Sequence, residues 1–524
     1  MDGKNLKNQT PQTSVKIEPR RTFLDCVQSM DIWGHIARFV DPFDLITLRK
    51  TCTALNELSH RRFVWIRAAK ALCYEQGIVL ATYSMDKMSL GELEHLVLSP
   101  RRFQRRISQN VGKQMHPVHS RTFVPLPQRT MEGLRRISSI YLLPGGRFLV
   151  TASSTGVHVW DLGHNAAAPF KSYPTAHHKF FSVMDVYPTD IENSVAHVLS
   201  CGCGQGVGNQ YNLEYRSYML PLVSEAPALQ DLPIFTVKAH RVISELQCGD
   251  KIALTLDDGD SQVNHVAFLQ GSRGVRHIRW KTEEMPRGIA MFGNTVIFQN
   301  EEDLKVYEIP FLGAAKRGSD DVLDYTDNKP LVTLRHPLNH PSSPRRIGYL
   351  FGTPQWSHAF NRRGILGTCT ENYFAPIENQ EWTFYQVEQV VSTSCTGKML
   401  VPSWLPVKLA TWDISWDAIG FCPDVTLWQD SNFVIVHGSR RGAQRTDFTL
   451  TRFQLPDNPN DTPQPAIFVI LAKGSPKLGF LGAVPLYSVC CATGRLVTAI
   501  PPTTEGEDWR IRIDDFLSPP SLYE

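Results

Sequence analysis

The pattern of apolar and polar positions divides the chain into four stretches. Residues 1–22 are polar and lack periodicity, which predicts a disordered tail. Residues 23–70 predict a compact helical block. Between Asp31 and Val40, the side chains of Ile32, Trp33, Ile36, Phe39 and Val40 form a broad apolar stripe at helical spacing. Asp31 is the N-cap or first-turn acid of this helix. Asp41-Pro42 ends it, because proline disfavours helical geometry in the residue before it. A second helix starts near Asp44 and carries Leu45, Leu48, Cys52, Leu55 and Leu58 at spacings of three and four. A third, short helix holds Phe63, Trp65, Ile66 and Ala68. Helices this short bury little alone, so they need one another or a partner's surface.

Residues 71–118 predict a helical connector. Ser89 and Glu92 form a capping-box pair, and Leu90, Leu93 and Leu96 give the following helix an apolar face. Pro100 is expected to end it. A basic stretch follows, Arg101, Arg102, Arg105 and Arg106, which reads as a solvated face or as a means of ordering the connector.

From residue 119 to 524 short apolar strands alternate with turn residues. The clearest unit runs from Ile137 to Gly163: a strand to Leu143, a turn at Pro144-Gly145-Gly146, a strand over Phe148–Ser153, a turn at Thr155-Gly156, and a strand ending in Trp160-Asp161-Leu162. Weaker copies end or lie at 209–220, 252–269, 289–309, 345–390, 410–454 and 478–515. The last contains Thr493-Gly494-Arg495-Leu496-Val497, a strand–turn–strand repeat of the first. Four-stranded units at about 40–50 residues each are the signature of a β-propeller, here of roughly six to eight blades. Lys316–Pro344 and Leu455–Pro465, rich in Pro, Asp, Asn and Ser, read as insertions. The fold class expected is therefore α+β and multidomain: three small helices, a helical connector, then an all-β propeller-like domain.

Composition narrows the function. A length of 524 residues exceeds one ordinary core. With 54 basic and 51 acidic residues the net charge is +3, too balanced for nucleic acid as the main ligand. Met1–Arg21 holds no apolar run of the kind a secretory signal has. Ile467–Ala472 is apolar but far shorter than the roughly 20 residues that span a bilayer, so no membrane partner is expected. Eleven cysteines at irregular spacing read as reduced thiols. The expected location is cytoplasmic, nuclear or both, and the sequons at Asn8 and Asn460 read as chance matches.

Residues 28–68 resemble the F-box. The likeness is carried by Asp31-Ile32-Trp33, Ile36, the hinge Phe39-Val40-Asp41-Pro42-Phe43-Asp44-Leu45, then Leu48, Cys52, Leu58 and Phe63-Val64-Trp65. Gln28-Ser29 stands where the family has Leu-Pro, and Leu55 where it has tryptophan. With the basic connector and the degenerate propeller, the whole resembles a group of fungal F-box proteins. That resemblance implies a Skp-type adaptor at the helical block, a cullin scaffold beyond it, and a protein substrate of unknown identity on the C-terminal domain. It implies a substrate-recognition subunit of a ubiquitin ligase rather than an enzyme. Carried over position by position, the adaptor-facing residues are Ile32, Trp33, Ile36, Phe39, Val40, Pro42, Leu45 and Leu48. An apolar stripe larger than three short helices can bury leaves an exposed patch, and such patches mark partner sites. The bland alternatives are a helical cap whose stripe is simply core, and a scaffold outside any ligase. A propeller enzyme would need a deep polar pocket.

Other motifs carry less. Cys201-Gly202-Cys203-Gly204 has no second ligand pair and reads as a glycine-rich turn. His336 and His340 are each followed by a proline, so no helix brings them onto one face, and Asp257-Asp258-Gly259-Asp260 reads as a hairpin turn rather than a calcium loop. No cofactor or metal is expected. Trp412-Asp413 and Trp416-Asp417 read as core tryptophans. Val15-Lys16-Ile17-Glu18 fits a short lysine-modification pattern. Arg147, Arg273 and Arg440-Arg441 are candidates for a basic rim that meets an acidic or phosphorylated motif.

Overall fold

The computed structural model describes residues 30–37, 39–125, 137–153 and 156–164, and from 170 to 518 the strands named below with their shorter turns. The chain divides into two compact units, with the boundary between Ala68 and Ala69.

The first unit holds α1 (Met30–Ile36), α2 (Pro42–Leu48), α3 (Thr53–Ser59) and the start of α4 (Arg62–Gln76). The first helix is shorter than its apolar stripe. It closes at Ile36, whose carbonyl accepts the Phe39 N–H at 2.9 Å. The Asp41-Pro42 pair does not end α1 but begins α2. Proline sits in the first turn, where no N–H is needed, and the Asp41 carboxylate accepts the Phe43 N–H at 2.9 Å as N-cap. Asp31 lies within the first turn of α1 rather than capping it.

The single helix expected from Asp44 to Leu58 is two helices. The chain breaks at Arg49–Cys52, where Cys52 is extended and the Thr51 hydroxyl donates to the Leu48 carbonyl at 2.8 Å. A straight helix would satisfy the leucine spacing. Folding α3 back on α2 instead lets both Leu45 and Leu58 leave solvent, at 2% and 3% exposure. The third helix is longer than expected, running to Gln76.

In the second unit a 3-10 turn (Leu80–Thr82) precedes α5 (Leu90–Gln109). The capping box is present: the Glu92 N–H donates to Ser89 Oγ, and Glu92 Oε2 accepts the Ser89 N–H at 2.7 Å. Pro100 does not end this helix. One lost rung is outweighed by a buried face of Leu93, Leu96, Val97, Phe103 and Ile107 that extends on both sides of it.

Seven sheets follow among the described residues. The first holds β2 (Ile137–Leu142), β3 (Phe148–Ser153), β4 (Gly156–Asp161) and β5 (Lys171–His177). The second holds β6 (Phe181–Asp190), β7 (Val195–Gln205), β8 (Tyr211–Pro221) and β9 (Gln230–Ala239). The third holds β10 (Arg241–Cys248), β11 (Lys251–Asp257), β12 (Gln262–Leu269) and β13 (Val275–Thr282), with β17 (Val322–Asp324) added in parallel. The fourth holds β14 (Gly288–Phe292), β15 (Thr295–Gln299), β16 (Asp303–Glu308) and β18 (Val332–Arg335). The fifth holds β19 (Arg346–Gly352), β20 (Gly364–Asn372), β21 (Asn379–Gln389) and β22 (Trp404–Ser415). The sixth holds β23 (Thr426–Asp430), β24 (Phe433–Arg441), β25 (Thr446–Gln454) and β26 (Ile467–Ala472). The seventh joins β27 (Leu486–Cys490), β28 (Arg495–Ile500) and β29 (Arg510–Asp515) to β1 (His119–Phe123).

Six of the sheets are built from strands in consecutive order, apart from the late strands β17 and β18. The seventh is completed by the earliest strand of the unit, with His119 opposite Asp515. The first strands β27, β2, β6, β10, β14, β19 and β23 lie side by side in that order. Sheets six and seven meet through Phe448 and Tyr487, stacked at 4.7 Å. This layout is that of a helical segment followed by a β-rich domain consistent with a β-propeller.

Several expectations shift here. Cys201–Gly204 is strand, not turn: Cys203 pairs across β7 and β8 with Leu213. The expected insertion 316–344 contains β17 and β18, so part of it is sheet. The second, 455–465, does link β25 to β26. Trp412 is core, edge-on to Phe384 and Phe453 at 5.4 Å each. Val15–Glu18, His336, His340, Arg273 and Trp416 lie outside the described residues.

Candidate functional site

The helical unit is held by one small knot. The Ser59 carbonyl accepts the Trp65 indole N–H at 2.6 Å and the Arg49 guanidinium at 3.1 Å, while Arg49 Nε donates to Ser59 Oγ at 2.9 Å. The guanidinium lies 5.5 Å from the Trp65 ring centroid. A planar cation thus satisfies a helix-end carbonyl and packs on the aromatic face at once. Ser59 and Trp65 are fully buried, with Leu45, Leu58, Val64 and Ala37 beside them in burial.

Among the described residues, this core leaves four large apolar side chains exposed. Ile32 is 52% exposed, Ile36 43%, Phe39 78% and Phe63 44%. Ile32 and Ile36 are one helical turn apart on α1, so they share a face. Phe39 follows, with its ring edge-on to His35 at 5.6 Å. Phe63 sits over the backbone of Gly34: a Cβ there would come within 3.1 Å of its ring. Exposed isoleucine and phenylalanine at this density, on so small a unit, are unusual for a surface that only faces water.

The eight residues singled out by sequence therefore separate. Ile32, Ile36 and Phe39 are exposed. Trp33, Val40, Pro42 and Leu48 are half-buried. Leu45 is buried, so in this conformation its side chain serves the helical core and not an outward face. Phe63 was not among the eight, although its neighbour Trp65 is unmistakable. Residues two apart on a helix cannot share a face, and this offset is the signal that separates an outward Phe63 from an inward Trp65.

In the β unit, Arg147 is not a free rim cation. Its guanidinium holds Asp161 with two bonds, 3.0 and 2.7 Å, and donates to the Thr82 carbonyl at 2.9 Å. Burial alone would raise the Asp161 carboxyl. Hydrogen bonds from Arg147 and the Gly163 N–H outweigh it and hold the group below its ordinary value. The last sheet repeats the device: Arg495 holds Asp515 at 2.6 and 3.3 Å. Arg440 and Arg441 lie at the end of β24. Of the basic connector, Arg106 donates to the carbonyls of Phe516 and His116, and Arg102 faces the His95 ring at 3.1 Å. Arg101 and Arg105 are exposed.

No helix among the described residues is long and apolar enough to cross a membrane. No protein-family model matches the sequence, and no curated relative matches it. Among solved structures, the chain is similar to the WD40 domain of SCAP from fission yeast, at 8% identity over 77% of this chain and 93% of that one, with a TM-score of 0.37. It is similar to the AfRom2 CNH domain at 10% identity, covering 76% of this chain and 100% of that one, with a TM-score of 0.35. With Sqt1 from Chaetomium thermophilum the identity is 11%, the coverage 72% and 82%, and the TM-score 0.33.

Proposed function

We propose that this chain is a non-catalytic substrate-recognition subunit of a Skp–cullin–F-box ubiquitin ligase. The helical unit is its F-box and binds a Skp-type adaptor, with a cullin beyond it. The β unit, read as a propeller of seven blades, binds a protein substrate. The observation that carries the reading is the exposed set Ile32, Ile36 and Phe39 directly before the Asp41-capped helix, in the order the F-box pattern requires. Ile32, Ile36 and Phe39 are 52%, 43% and 78% exposed, so an adaptor that covers them gains roughly that share of the about 1.5–3 kcal/mol that complete burial of each side chain is worth.

The test uses the full-length chain and a purified Skp-type adaptor. Co-elution is expected, and the pair Ile36→Asp and Phe39→Asp should weaken it at least tenfold. No binding by the native chain, or equal binding by the substituted one, sinks the proposal.

A second reading is a propeller scaffold that never enters a ligase. Gln28-Ser29 in place of Leu-Pro, together with an inward Leu45, favours it. Native complexes that contain the chain but no cullin would select it.

A further inference from the structure

We infer that residues 78–123 are a clasp that locks the seam of the β unit, rather than a linker leading to it. The seam is where the first sheet meets the last. This stretch holds both sides of it and the neighbouring sixth sheet as well.

On the first sheet, the Tyr83 hydroxyl donates to the Gly145 carbonyl at 2.7 Å, Arg147 donates to the Thr82 carbonyl, and Val79 joins the core around Phe148 and Val159. On the sixth, the chain after α5 lies along the free edge of β26. The Gly112 and Met115 N–H groups donate to Phe468 and Ile470, and the Ile470 N–H donates to Lys113. On the seventh, β1 pairs with β29, Arg106 reaches the Phe516 carbonyl, and Phe103 and Ile107 pack with Leu496 and Phe516.

Two further observations show the seat is shaped for this segment. Gly145 and Gly494 have φ of 96° and 64°, a region that favours glycine. They are also where the clasp approaches most closely: a Cβ on Gly145 would lie 2.8 Å from Thr82, and one on Gly494 2.7 Å from the Phe103 ring. The seam itself is bolted beneath. Arg495 donates to the carbonyls of Gly146 and Gly163 at 2.6 and 2.7 Å, and Arg121 of β1 donates to Leu162 at 2.6 Å. Every one of these bonds joins residues far apart in sequence, so none needs the chain to be continuous between Pro125 and Ile137.

The inference stands whether or not the helical unit binds an adaptor. It is tested by inserting a protease recognition site into residues 126–136 of the full-length chain and cutting it completely. The two pieces are expected to co-elute as one species; separation in native buffer overturns the clasp. Hydrogen exchange on the uncut chain gives an independent measure. The Gly112 and Met115 amides should exchange within tenfold of those of β28, and Gly494→Ala should speed them at least tenfold. Exchange of these amides more than tenfold faster than β28 in the native chain, or no response to Gly494→Ala, rejects it.

Discussion

The two units use the same interaction at different stakes. In the helical unit Arg49 meets a serine and an indole at a half-buried position. In the β unit Arg495 is 5% exposed, with two carbonyls and a carboxylate on it. The first arginine ties together residues ten apart; the second ties together sheets more than three hundred residues apart. The helical unit keeps Ile32 and Ile36 exposed, whereas strands such as β3 and β4 are buried along their whole length. One unit is organised to present a surface, the other to close on itself.

The largest effect that would sharpen this contrast is Arg495→Ala. It strands Asp515 and two buried carbonyls, and costs about 3–5 kcal/mol. The β-unit unfolding midpoint in denaturant should fall accordingly. A loss below about 1 kcal/mol would erase the distinction between the two arginines.

Acid comes next. The His95 ring is pushed down to about 4 by burial and by the charge of Arg102, with Arg495 adding and Asp515 opposing. An ordinary imidazole, taken for the unfolded chain, titrates at 6.5. Between these, the unfolded chain takes up a proton that the folded ring refuses. The contribution is full above pH 6.5 and is lost as pH falls towards 4, by up to about 3 kcal/mol. His95→Gln should flatten this part of the stability–pH curve.

Trp65→Phe is smaller. It removes the indole N–H from the Ser59 carbonyl but leaves Arg49 in place, for about 1–2 kcal/mol. Loss of near-ultraviolet tryptophan signal complicates optical readout, so exchange of the α3 amides is the better measure. The β-unit midpoint should stay put. If it moves with the helices, the units are not separate in stability. Smallest of all, Phe39→Asp should change stability by less than about 0.5 kcal/mol, because that residue is 78% exposed. A larger loss would mean that Phe39 belongs to the core.

Much of the architecture could be read from the sequence because strands and turns are local. Gly145-Gly146-Arg147-Phe148 and Gly494-Arg495-Leu496 announce the same turn and strand in the first and last sheets. The apolar stripe of residues 32–40 likewise marks a helical unit. The breaks were less legible. Leu45, Leu48, Cys52, Leu55 and Leu58 fit one straight helix as well as two, and only the gain from burying Leu45 against its neighbours decides between them. Pro100 signals an end that tertiary packing overrides. Cys201-Gly202-Cys203-Gly204 has turn composition but lies in a ladder, paired on both sides at Cys201-Gly202 and with β8 at Cys203-Gly204. The roles of Arg106, Arg147 and Arg495 were out of reach, since each reaches a carbonyl distant in sequence (Phe516, Thr82 and Gly146 respectively) that no local pattern names.

The pairing of β1 with β29 also sets a schedule. During synthesis His119–Phe123 emerges about 390 residues before its partner Arg510–Asp515. At about 5–20 residues per second, that strand waits roughly 20–80 s without its ladder partner. Its sequence, His-Ser-Arg-Thr-Phe, has one apolar side chain in five, which makes it a poor template for a stray neighbour. The polar character of this strand is therefore a property suited to the nascent chain as much as to the finished fold.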